Sequence, residues 1–296
     1  MSEHRTPTTG EVIREQFNAI AVALRIPIFI ASALLSVATF LAFSDYLQGR
    51  GGVEFAPELS MIPAFVGALL PIAVWQRDRP FGARFIWTLP IDRTRHALAK
   101  MFAGWLWLMI AVTAFVLWIL ILALITKGTI KGDEMVRLLP TSDIPPPGTL
   151  DASMLRRVTW IPQPALWLTP FTAATALYVI VSAGILGLRH PFRWILGAIA
   201  GGFLVAAVGQ GLESEAFWSR LASVMRTLME GRYGVDALLT AHTESLHTSV
   251  TLSNGQATTV WRGLPVVTDW LIATLLWTSL GTAALCAALY RNRERR

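Results

Sequence analysis

Six cationic side chains crowd the stretch Trp75–Lys100, WQRDRPFGARFIWTLPIDRTRHALAK: Arg77, Arg79, Arg84, Arg93, Arg95 and Lys100, against the acids Asp78 and Asp92. Between two apolar spans, a loop this basic is retained on the cytoplasmic side of a membrane. It also has internal order. Pro80 suits a first helical turn, and Pro90 ends whatever follows it. Phe81, Phe85 and Leu89 fall on one side, with Arg84 among the polar positions. Asp92 is placed to cap a helix running through Arg93–Lys100 into the next span. The chemistry is that of docking: guanidinium groups and aromatic rings offered to a soluble partner by a segment continuous with a membrane helix. The plainer alternative is a basic loop that only sets topology.

Other chemistry is sparse. There is no His-Glu-x-x-His pair and no Gly-x-Ser-x-Gly elbow. His242, Glu244 and His247 come nearest to a metal cluster. These histidines are five apart and do not share a helical face, so a solvated polar loop is the simpler reading. The chain contains no Gly-Lys pair, and so no P-loop. ATP hydrolysis, if it drives this protein, belongs to another subunit. No catalytic, cofactor-binding or metal-binding residue is assigned.

The elements that must position the basic stretch are membrane spans. Of 296 residues, 54% are apolar and 15% charged, against about 25% charged in soluble domains. That composition predicts an all-α polytopic membrane protein. Six spans are predicted, at Ile26–Phe43, Ser60–Trp75, Phe102–Ile125, Leu166–Leu188, Trp194–Gly209 and Val266–Tyr290. The second and fifth are at the short end of the 17–25 residues needed. All six spans, as drawn, are read as free of Asp, Glu, Lys, Arg and His, which argues against an ion-coupled carrier. Cys286 reads as a buried small hydrophobe.

With the N-terminus inside, fifteen of the 25 basic residues face the cytoplasm, while thirteen of the 19 acids lie outside. N- and C-termini are therefore expected in the cytoplasm, in a plasma or inner membrane. The net charge of +6 then reflects topology and lipid headgroups rather than nucleic acid. Residues 1–25 lack the apolar core of a cleavable signal. Ile13, Phe17, Ile20 and Leu24 predict an amphipathic helix lying in the cytoplasmic interface, with Pro27 in the first turn of the span after it. Outside, Thr126–Ala165 reads as irregular. Residues 213–265 read as a small helix-plus-hairpin cap: Phe217, Leu221, Val224 and Leu228 form a helical stripe ended by Gly231. Asn254-Gly255 predicts a two-residue hairpin pairing Val250 and Leu252 with Thr259 and Ala257, with Trp261 along the same face.

On these features the chain resembles the permease subunit of an ABC transporter of the type-2 exporter class. Leu89-Pro90-Ile91-Asp92-Arg93 matches that family's Leu-Pro-[Ile/Val]-x-Arg step, and Ala97-Leu98-Ala99-Lys100 its Lys-bearing start to span three. In layout the resemblance covers the whole chain as one permease domain, 1–296. In residues it covers 76–100. It implies that Arg77, Arg79, Phe81, Arg84, Phe85, Leu89, Pro90, Asp92 and Arg93 couple to a separate P-loop ABC ATPase, on which ATP and Mg would sit. It also implies a second permease copy or a relative as partner. The long 213–265 insert departs from the family. An amphipathic cargo would suit the apolar spans. Two other functions stay open: a non-transporting sensor or anchor whose outer cap binds a ligand, and an ion-coupled carrier.

Overall fold

The computed structural model describes residues 8–49, 51–55, 60–75, 93–130, 134–139, 146, 148–188, 231–240, 247–261 and 263–294, with scattered positions between 193 and 229. Six helices are described in full: α1 (Thr9–Leu47), α2 (Met61–Trp75), α3 (Arg93–Ile125), α4 (Thr169–Gly187), the short α5 (Val235–Thr240) and α6 (Val267–Glu294). Among the described residues, α1, α3, α4 with its leading turn Pro164–Leu168, and α6 are long and apolar enough to cross a membrane. At 15 residues, α2 reaches about 22 Å, short of the ~30 Å hydrocarbon core. The predicted fifth span, 194–209, lies outside the described residues except at scattered positions. The long helices turn apolar side chains outward, as at Ile26 and Phe29, which are 72% and 75% exposed. That is the surface of a multi-pass, membrane-embedded chain.

The N-terminal segment corrects one expectation. Among the described residues, no separate interfacial helix precedes the first span. Instead, α1 runs 39 residues without a break and Pro27 lies inside it. Within a membrane helix a proline is tolerated where neighbouring groups or a local adjustment of the ladder satisfy the carbonyl it frees. The stripe read as interfacial is used for packing: Ile20 and Leu24 are buried, and Phe17 stacks on Trp107 of α3 with ring centroids 4.8 Å apart. Thr8 starts the helix with a capping box, its side chain accepting from Glu11 N while Glu11 reaches back.

The centre is α4. Ala173, Ala174, Ala176, Tyr178, Ser182 and Ala183 are all buried. A Cβ added at Gly67 of α2 would overlap the backbone of Ala174, and one at Gly281 of α6 would lie 2.9 Å from Ile180 Cγ1. Small residues thus bring three helix backbones close together. Cys286 corrects a second expectation: it is exposed, on the outer side of α6.

At one end of the bundle, the connections meet in a four-stranded sheet with order β2-β1-β4-β3. Its strands are β1 (Glu134–Leu138), β2 (Arg156–Trp160), β3 (His247–Thr251) and β4 (Ala257–Trp261). The β1–β2 and β3–β4 pairs are antiparallel, and β1 joins β4 in parallel through Leu138 and Trp261. Thr126–Ala165 is therefore not irregular; it supplies half of this sheet. The α1–α2 connection is tied in as well, by the Phe55–Ile130 bridge and by Val53 N donating to Thr126 Oγ1 at 2.9 Å.

The hairpin exists, one residue out of the predicted register. Val250 faces Thr258 and Thr251 faces Ala257. The loop is Ser253-Asn254-Gly255, closed by Leu252 N donating to Gln256 O at 2.9 Å. Only Gly255 takes positive φ, +80°, so the type I′ turn that needs two such residues does not form. Asn254 Oδ1 instead accepts from Gln256 N at 3.0 Å. A shift of one residue moves side chains to the other face. Trp261 therefore does not share a face with Val250. It packs with Val136, Trp160, Leu166 and Trp270, seating the sheet on the starts of α4 and α6. Val250, Leu252 and Val260 form a second layer with Leu139, Leu150 and Leu155 on the far side.

The predicted stripe 217–228 is described only at 220, 223–224 and 227–229, which are helical. Gly231 follows it, its N–H donating to Thr227 O at 3.1 Å.

Trp261→Ala removes the ring that joins sheet to helices. It is expected to cost about 3–5 kcal/mol. The check is the thermal midpoint of the detergent-solubilised protein, with helical circular dichroism preserved below the transition.

Candidate functional site

Opposite the sheet, the bundle presents its basic end. The N-termini of α1 and α3 meet the C-termini of α2, α4 and α6 there. Of the residues expected to couple to a partner, Arg77, Arg79, Phe81, Arg84, Phe85, Leu89, Pro90 and Asp92 lie outside the described residues. Arg93 is described as the backbone start of α3. What can be built is the frame that holds both ends of this segment.

On one side the frame is Trp75, the last residue of α2, and it is buried. On the other is Lys100, only 6% exposed, with Nζ 5.1 Å from the centroid of the Trp75 ring. A cation over an indole face away from water contributes about 1–2 kcal/mol. The pair holds the exit of α2 against the entry of α3. A turn and a half earlier, Arg95 Nη2 donates to Thr9 Oγ1 at 2.7 Å, tying α3 to the start of α1. Trp107 Nε1 donates to Phe17 O at 3.1 Å, which repeats that tie two turns deeper. The α4–α6 side closes through Arg291 Nη2, which donates to Gly187 O at 2.6 Å. A guanidinium at a helix C-terminus satisfies a carbonyl and complements the helix dipole.

From this frame α3 rises as a single rod. Among its 33 residues it has no proline and one glycine, Gly104. Tyr178 of α4, fully buried, fills the space beside Gly104 and donates from Oη to Met101 O at 2.8 Å. A Cβ at position 104 would overlap that oxygen. The one residue where α3 could bend is thus splinted by α4.

Sequence reading located the basic stretch and the start of α3. It missed Trp75 as the partner of Lys100, and it missed the Tyr178–Gly104 contact. The signal for the first was an aromatic ending one span and a lysine beginning the next. For the second there was none, because it joins positions far apart in sequence.

Two further expectations resolve elsewhere. His242 and Glu244 lie outside the described residues, and His247 opens β3. The sixth span is not free of charge. Asp269 lies in the first turn of α6, 5% exposed, and accepts from Arg232 Nε at 3.0 Å. That hydrogen bond, together with the carboxylate's charge, raises the Arg232 guanidinium above its ordinary value. Because the pair is at the sheet end of α6, where Arg232 is exposed, it is not an ion site within the bundle.

No protein-family profile, curated protein or solved structure matches the chain.

Gly104→Ala is expected to lower stability by about 1–3 kcal/mol through overpacking. In a Tyr178→Phe background the same change should cost less by about 1 kcal/mol, because the overlapping oxygen is gone. Thermal unfolding of the four proteins of this cycle measures the difference, and a coupling of zero would mean that the splint does not exist.

Proposed function

We propose that this chain is the membrane-spanning permease subunit of an ATP-driven transporter of the ABC type, an exporter whose ATP is hydrolysed by a separate P-loop subunit. The observation that carries the reading is α3: a proline-free rod that begins directly after the 76–92 segment and is clamped at its base by Lys100–Trp75 and Arg95–Thr9. A partner that pulls on 76–92 moves a helix unable to absorb the displacement by bending. Such an element transmits force rather than merely setting topology.

The arrangement of ends supports six spans. The chain leaves α4 at the basic end, beside Arg291. It is next described continuously from Gly231, and Arg232 lies at the sheet end beside Asp269. On this reading the stretch 194–209, apolar in sequence, is the fifth span that returns the chain to the sheet end. By the positive-inside rule the basic end faces the cytoplasm and the sheet lies outside. Two permease copies, or this chain and a relative, would form the path between them, with an amphipathic cargo suited to apolar walls.

A second reading has its own observation. The sheet is built from two separate loops and has an apolar layer on each face, more structure than an anchor needs to cross a membrane. On that reading the chain is a sensor whose outer sheet binds a ligand.

Purification of the tagged chain from native membranes in mild detergent decides between the two. A stoichiometric P-loop ATPase is expected. Arg84→Glu or Arg93→Glu should reduce its recovery roughly tenfold, the effect of losing one well-formed charged contact, with insertion and abundance unchanged. Full association in both variants would exclude the coupling role of 76–93.

A further inference from the structure

A short segment at the sheet end ties together helices that are far apart in the chain. Residues 231–240 turn at Gly231–Gly234, where Gly234 N donates to Gly231 O at 2.7 Å, and continue as α5. A Cβ at Gly234 would lie 2.5 Å from Met229 O, so the turn is tight enough to require glycine. Three polar contacts fasten the segment. At its start, Arg232 Nε donates to Asp269 Oδ2, in the first turn of α6, at 3.0 Å. Next, Tyr233 O accepts from Trp277 Nε1 at 3.0 Å, about two turns further along α6. Near its end, Leu239 O accepts from Ser60 Oγ, immediately before α2.

Between these fastenings lies an apolar tooth. Ala237 and Leu238 are fully buried. Leu238 packs with Ala64 of α2 and with Ala173 and Ala176 of α4, a socket of small side chains. α2 and α6 each pack closely on α4, at Gly67 and at Gly281, and α5 touches all three helices. The segment thus reaches from α6 to α2 over α4. Its fastenings differ in one respect. Ser60 is buried and Trp277 half-buried, whereas the Arg232 side chain is 68% exposed, against a carboxylate side chain that is 7% exposed. The guanidinium is the fastening that solution reaches.

We propose that residues 231–240 are a clasp that holds the sheet ends of α2 and α6 together across α4, with the Arg232–Asp269 pair as its catch. Removing the Arg232 guanidinium leaves a buried carboxylate without the cation it pairs with, which releases that end of the segment from α6. Truncating Leu238 empties the socket and loosens the other end. Either change frees the sheet ends of α2 and α6 to part, while the basic end keeps Lys100–Trp75, Arg95–Thr9 and the Arg291 bond to Gly187 O. The catch engages through one nitrogen, so a lysine can serve in its place, as it could not at a bidentate site. The clasp is a property of the fold and is independent of the transport reading.

The test is the distance between spin labels on the full chain in nanodiscs, by double electron–electron resonance, with Cys286→Ser removing the native cysteine. Met61→Cys with Leu271→Cys reports the sheet ends of α2 and α6. Leu188→Cys with Tyr290→Cys reports the basic ends of α4 and α6. All four positions are exposed. Arg232→Gln and Leu238→Ala should each lengthen the first distance by about 2–5 Å, the scale of helix displacements, and leave the second unchanged. Arg232→Lys should keep the first distance. If Arg232→Gln does not fold, Leu238→Ala decides, since it leaves all three polar fastenings in place. A first distance unmoved by these two variants would overturn the proposal, and so would equal lengthening of both distances, which marks general loosening. A distance as long in Arg232→Lys as in Arg232→Gln would overturn the assignment of the catch.

Discussion

Close approach of helix backbones is the constraint on which the rest of this structure depends. In a bilayer the hydrophobic effect does not drive one apolar helix against another, because lipid tails are as apolar as leucine. What holds helices together is packing at short range and the few polar contacts that packing permits. The buried face of α4 is small for this reason: Ala173, Ala174, Ala176 and Ala183 leave room for Gly67 on one side and Gly281 on the other. Gly187 likewise meets Ala288 across the lower part of the α4–α6 seam, where a Cβ would come within 3.2 Å of the alanine methyl. Once α2, α4 and α6 are locked, their ends are fixed, and both the basic frame and the seat of the sheet follow.

The sheet depends on the helices more than on its own strands. Each strand is five residues long, and a two-stranded ribbon of that length is marginal in water. Two such ribbons become stable by joining through β1 and β4 and by burying Trp160 and Trp261 against Leu166 and Trp270. The two tryptophan rings lie 5.5 Å apart and tilted, a favourable aromatic geometry. Among the described residues, the face turned from the bundle has no helix beneath it. It makes its own layer from Leu139, Leu150 and Leu155 with Val250, Leu252 and Val260.

The parts legible in the sequence were those written in local pattern: apolar lengths for four spans, the hairpin at Asn254-Gly255, and the charge that marks one end. The illegible parts join distant positions. β1 and β2 look irregular alone, since EMVRL and RRVTW form a ribbon that joins the larger sheet only where β1 meets β4, more than a hundred residues on. The hairpin register depended on the φ of one residue, Asn254, which sequence leaves open between two loop types. Pro27 signalled a helix start under soluble-protein rules, whereas within a membrane helix a proline is absorbed. At the basic end, residue types marked the start of α3, but not the indole under Lys100 or the tyrosine against Gly104.

That tyrosine bears on how freely α3 can bend. A helix passes on a displacement only if it is stiff along its length and held at both ends. At the base, α3 is held by Arg95, Lys100 and Trp107. At the top, Thr126 Oγ1 holds the α1–α2 connection through Val53 N, and Ile130 bridges to Phe55 just before β1 begins. Between these anchorages the only glycine is Gly104, which is where a bend would otherwise concentrate. Tyr178 Oη closes it by taking a second hydrogen bond to the carbonyl of Met101, a group already used within the helix. The phenol is redundant for helix formation, since α3 has its own ladder there. What it adds is a packed side chain over Gly104, supplied by α4, the most buried of the described long helices. Stiffness in α3 is therefore conferred by its neighbour, and the two ends of the molecule are mechanically continuous through a contact that belongs to neither.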